Sequence, residues 1–202
     1  MSLDLYVYLK EDSGFSPKGF EAFCRSLNLQ VRIPPDFDIQ EGYDRVPLTF
    51  TSDAFSETGK AESYSTGFEL FVSDYEYSPC PVEKPRTEKP VGFLQRLFSK
   101  KRREEVPEEV PEELPQETPF EQAIKDCQKQ LALVCHSGDS FELLMAYLFG
   151  AYLVDSLGGI LDDPQTGRYF QNSQELKAEI ASVWEYLHRL SDSGELEYEK
   201  IS

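Results

Sequence analysis

A chain of 202 residues with 40% apolar side chains is long enough to bury a core and fits one domain, or one domain carrying an insertion. Its net charge of −17 argues against nucleic acid, since phosphate recognition needs clustered Lys and Arg, and makes a basic protein the electrostatic complement. The longest apolar run, Leu143 to Val154, is shorter than the roughly 20 residues that span a bilayer, so it reads as a buried helix.

Leu3, Leu5, Val7 and Leu9 alternate with Asp4, Tyr6 and Tyr8, the period of a half-buried strand. Ser16-Pro17 supplies an N-cap and a first-turn proline, and Phe20, Phe23, Cys24 and Leu27 follow at helical spacing. Val31 and Ile33 start a second strand that Pro34-Pro35 stops, because proline has no N–H to give a ladder. Residues 34–47 read as a loop, and Leu48 to Thr51 and Phe68 to Tyr75 as strands. In the latter, Phe68, Leu70 and Val72 alternate with Glu69, Phe71 and Ser73.

The middle of the chain changes character. Residues 92–103 carry +5 with no acid, and residues 104–119 form an acidic proline ladder carrying −7 with no base. The segments before and after carry −7 and −8. Residues 92–119 are therefore read as a charged insertion between residues 1–91 and 120–202, which together make the domain. Within it, Phe93, Leu94, Leu97 and Phe98 could share one helical face, with Arg96 and Lys100 beside it.

Beyond the insertion, Phe120, Ala123, Ile124 and Cys127 form a helical face. Residues 129–136 fit a helix or a strand, and the alternation of Leu131, Leu133 and Cys135 favours the strand. Asp139 and Glu142 read as a capping box for the apolar helix that Gly158-Gly159 ends. Ile160-Leu161 and Tyr169-Phe170 flank an Asp-Pro-Gln-Thr-Gly turn, and Asn172 with Glu175 opens a last helix. The expected fold is α+β, a mainly antiparallel sheet covered by helices.

The chemistry-bearing residues are sparse. Cys24, Cys80, Cys127 and Cys135 show no CxxC spacing and no small-scaffold framework, and the N-terminus lacks a basic-then-apolar leader pattern. Both features lead to the expectation of a cytoplasmic protein. No metal-ligand spacing or phosphate loop is present, so neither metal nor cofactor is expected. Gly138-Asp139-Ser140 could place a hydrolase nucleophile at Ser140, with only His136 and His188 to serve as base. The stronger candidate is the loop, where Asp36, Asp38, Glu41 and Asp44 surround Phe37 and Tyr43, a mixture suited to gripping a basic partner. A second candidate contact is the basic segment, through Phe93, Arg96, Leu97, Phe98 and Lys100, for a membrane surface or a scaffold partner.

The stretch from Ala146 to Phe170, above all Ala151-Tyr152-Leu153-Val154-Asp155-Ser156-Leu157-Gly158-Gly159-Ile160-Leu161-Asp162-Asp163-Pro164-Gln165-Thr166-Gly167, resembles a segment of small bacterial proteins that include immunity partners of polymorphic toxins. The resemblance implies a compact, acidic, non-catalytic cytoplasmic protein that binds a cognate toxin. It carries no site residues over, because the helix, paired glycines and turn read as structural. The expectation is thus an immunity-type binding module, with a membrane or scaffold role and a Ser140 hydrolase as the alternatives.

Overall fold

A computed structural model describes residues 3–11, 14–56, 58–78, 117–136 and 138–201. The chain divides into two compact units, residues 1–77 with 123–202, and residues 78–122. Most of the charged insertion, with Phe93, Arg96, Leu97, Phe98 and Lys100, lies outside the described residues, as does Cys80. At its end, Thr118 and Glu121 exchange bonds at the start of α2 (Pro119–Ile124). Thr118 N–H donates to the Glu121 carboxylate, and Glu121 N–H donates to the Thr118 hydroxyl.

The larger unit is α+β, and its strands form two antiparallel sheets rather than one. Five belong to the first: β1 (Leu3–Leu9), β5 (Glu69–Asp74), β6 (Lys129–Cys135), β7 (Ile160–Asp163) and β8 (Arg168–Phe170), in the order β5-β6-β1-β7-β8. The second holds β2 (Gln30–Arg32), β3 (Leu48–Ser52), β4 (Glu62–Thr66) and the two-residue β9 (Glu199–Lys200), in that order. Residues 129–135 are a strand, as their alternation predicts, with Leu131, Leu133 and Cys135 all buried.

The helix α3 (Glu142–Leu157) packs against β1, β6 and β7, and also against α1 (Pro17–Ser26) and α4 (Ser173–Ser193). A helix with neighbours on several sides must be apolar all round, and α3 is buried almost throughout its length. Its close approach to the sheet is set by Gly150, where a Cβ would stand 2.2 Å from the Leu161 side chain. Aromatic rings gather at the start and at the middle of the helix. Phe141 meets Phe50, Phe55 and Tyr64 at one end, while Phe149 meets Phe15, Phe20 and Phe37 further along.

The expected capping box at Asp139 and Glu142 is not formed. Asp139 Oδ1 instead accepts from Phe141 N–H at 2.9 Å, and the Glu142 carboxylate reaches past it to the backbone N–H of His136. Asn172 does cap α4 as expected, accepting from Glu175 N–H at 3.1 Å while its amide donates to the Glu175 carboxylate at 2.8 Å.

The turn from β7 to β8 is built on Asp163, whose Oδ2 accepts from the buried Tyr147 hydroxyl at 2.6 Å and whose Oδ1 accepts from Gln165 N–H at 3.0 Å. Pro164 cannot continue a ladder, and the Gln165 side chain takes over that task. Its amide oxygen accepts from Asp4 N–H and its amide nitrogen donates to Asp4 C=O, both at 3.1 Å. No described helix is long and apolar enough to cross a membrane.

Candidate functional site

The loop between β2 and β3 is held at several points, and each leaves its acids pointing outward. Asp38 Oδ1 accepts from Gln40 N–H at 2.9 Å, a side chain closing a turn that the backbone alone would leave loose. The Tyr43 hydroxyl accepts from Asp38 N–H at 3.2 Å and donates to the Glu41 carboxylate. The Phe37 ring stacks on Tyr43 with centroids 4.7 Å apart. Asp36, Asp38, Glu41 and Asp44 are exposed around this support.

Phe37 has a different place from the one its sequence suggests. It is 7% exposed and joins the aromatic cluster at Phe15 and Phe149, so it anchors the loop to the core and offers no surface to a partner. Tyr43 is half-buried and divides its role, its ring backing Phe37 and its hydroxyl fastening the loop. The aromatic surface comes from Phe71 on β5, which is 52% exposed. Alternation in β5 puts Phe71 on the face opposite Leu70 and Val72, and this was the available signal for it.

The loop is joined to β5 by backbone bonds. Tyr43 and Leu70 exchange N–H to C=O bonds of 2.8 and 2.7 Å, and Val46 N–H donates to Phe68 C=O at 2.7 Å. Preceding Tyr43, Gly42 adopts φ +68°, a left-handed conformation that carries the chain away from the strand. A groove of about 480 Å³ opens between residues 40–44 and Leu70 to Val72.

Arg45 is the one base in the loop. Its guanidinium pairs with the buried Asp139 at 3.0 Å. Burial raises the Asp139 carboxyl above its ordinary range, against the opposing pull of Phe141 N–H, Thr66 and Arg45. Glu142 is likewise raised, by burial and then by the charge on Asp139, against the His136 N–H that its carboxylate accepts. Arg45 is therefore committed to an internal carboxylate and leaves the outward acids of the loop unneutralised. Glu69, on the same face of β5 as Phe71, holds His136 at 3.0 Å.

Ser140 is tied to the chain near its end. Its hydroxyl accepts from Glu197 N–H at 3.0 Å and its own N–H donates to Glu197 C=O at 2.9 Å. The two histidines are engaged elsewhere, His136 with Glu69 and His188 against the rings of Phe55 and Trp184. Three cysteines, Cys24, Cys127 and Cys135, are free and buried, and burial pushes the Cys24 thiol up to about 12. A larger groove of about 690 Å³ lies over β2 and β3, where Arg25 and Arg32 share the walls with Glu21 and the hydroxyls of Thr49, Thr51 and Ser63. Arg25 pairs with Glu21 there, which leaves Arg32 as the charge on its wall, opposite in sign to the acids of the loop.

No known family model, curated protein or solved structure matches the chain.

Proposed function

We propose that this chain is a non-catalytic protein-binding module, a cytoplasmic immunity protein that neutralises a basic bacterial toxin. The observation that carries the reading is the pairing of the exposed acids Glu41 and Asp44 with the exposed ring of Phe71 across one groove, with Asp36 and Asp38 exposed on the same loop. An apolar anchor ringed by one sign of charge is the layout of a contact in which the ring supplies affinity and the acids supply steering. The internal commitment of Arg45 preserves that sign. The resemblance of residues 146–170 to immunity proteins supplies the class of partner.

The test is co-expression with the reading frame next to this gene. Cells producing the neighbour alone are expected to stop growing, cells producing both to grow, and the two proteins to co-purify. Normal growth with the neighbour alone and no recovered complex would overturn the reading.

A further inference from the structure

The edge of a sheet carries backbone donors and acceptors that another chain can use, and proteins ordinarily cover or break such edges. In the five-stranded sheet, β8 packs beside α4. At the other edge, β5 is closed, among the described residues, by the loop only as far as Leu70, through the two bonds to Tyr43. Residues along a strand aim their N–H and C=O groups alternately to the two sides. Leu70 aims at the outer edge, so Val72 and Asp74 do as well. Phe71 and Ser73 aim inward at β6, as does Tyr75, whose N–H donates to Gln128 C=O at 2.7 Å.

The left-handed turn at Gly42 takes the loop away from β5 where the outer groups of Val72 come next. Among the described residues, space for another strand therefore begins at the groove between residues 40–44 and Leu70 to Val72. Glu41 and Asp44 stand exposed at one end of this edge, whereas at the other the Asp74 carboxylate is already paired with Lys129 at 2.8 Å. Phe71 flanks it on the sheet face. A strand laid here would have its own alternate side chains beside Phe71 and, at the groove end, within reach of Glu41 and Asp44.

We propose that the outer edge of β5 at Val72 to Asp74 receives an extended, lysine- or arginine-bearing segment of the partner protein by strand addition. The main-chain bonds hold the segment, and Glu41 and Asp44 at the groove end select its charge. The inference rests on the protein-binding reading above and names the surface and the partner's local conformation.

The experiment uses the full chain and two synthetic octapeptides, one alternating Lys and Val and one alternating Glu and Val, followed by backbone amide NMR. In the free protein the amides of Val72 and Asp74 should exchange with solvent at least tenfold faster than those of Phe71 and Ser73. The Lys-Val peptide should shift the Val72 and Asp74 resonances most and slow their exchange, and the Glu-Val peptide should bind at least tenfold more weakly. Val72→Pro removes one outward N–H and no inward bond, and should weaken Lys-Val binding at least tenfold while the exchange pattern of β6 is kept.

Protected Val72 and Asp74 amides in the free protein would overturn the proposal, as would shifts confined to residues 36–44 or equal binding of the two peptides. The peptide readout does not depend on the neighbouring gene. Binding at the edge without any rescue of growth would discard the toxin and keep the edge, and rescue with no effect at Val72 and Asp74 would do the reverse.

Discussion

Glu142 is a carboxylate placed where burial and a neighbouring acid both oppose its charge, against the His136 N–H and the charges of Arg45 and His136. The folded protein therefore holds this proton more tightly than the unfolded chain does. A raised pKa contributes stability that is complete below the unfolded value, near 4.3 for Glu, and is lost as pH rises through the folded value. Glu142→Gln keeps an oxygen for the His136 N–H and cannot ionise. Relative to that variant, the natural protein should be less stable at pH 7.5 than at pH 4, with Asp139 adding a loss of the same sign to both proteins. Urea midpoints measured at the two pH values check this, and a gap between the proteins that stays constant would rule it out. The apposition of Asp139 and Glu142 was visible in the sequence as a capping box. The bonds they make were not, because Glu142 finds its donor at His136, outside the four-residue window that defines such a box.

At the scale of elements, α3 sets propensity against packing. Alanine in place of a mid-helix glycine gains about 1 kcal/mol from helix propensity alone. At Gly150 the added Cβ would meet the fully buried Leu161 at 2.2 Å and Val7 at 3.7 Å, and overpacking of this kind costs roughly 1–3 kcal/mol. Gly150→Ala should therefore lower the melting temperature, and Leu161→Val in the same chain should recover part of the loss. A melting temperature equal to or above that of the natural protein would show that the helix can shift away from β7. Sequence pattern located α3 well because its apolar run is long, and it located β1, β5 and β6 because one face of each alternates cleanly. It missed β4, Glu-Ser-Tyr-Ser-Thr, where Tyr64 is the lone large apolar residue and the strand is specified by pairing with β3 across its whole length. The split into two sheets was hidden for a related reason. Register between distant strands is a property of their partners, and no single segment carries it. In the loop, acid composition marked Asp36, Asp38, Glu41 and Asp44 as outward, but irregular backbone has no period, so nothing in the sequence separated the inward Phe37 from an exposed ring.

For the whole molecule, the question is whether the charge of −17 acts as a general field or through one surface. A diffuse negative field steers any cation and depends mainly on net charge, while a local cluster accelerates only encounters that place a cation at that cluster. Two triple variants of equal net charge separate the cases. Asp38→Lys, Glu41→Lys and Asp44→Lys change the loop, whereas Glu185→Lys, Asp192→Lys and Glu195→Lys change exposed positions on α4 and just beyond it. With the partner recovered by co-expression, the loop triple should slow association about tenfold at low salt and flatten its dependence on ionic strength. The α4 triple should slow it by less than about threefold, the remnant expected of a screened distant charge. Equal slowing by the two triples would mean that steering belongs to the net charge and that the loop is not the contact. Dissociation supplies the complementary reading, because an apolar ring at the centre of a contact governs how long a complex lasts. Phe71→Ser should leave association nearly unchanged and speed dissociation, so the two kinds of variant assign the acids to encounter and the exposed ring to retention.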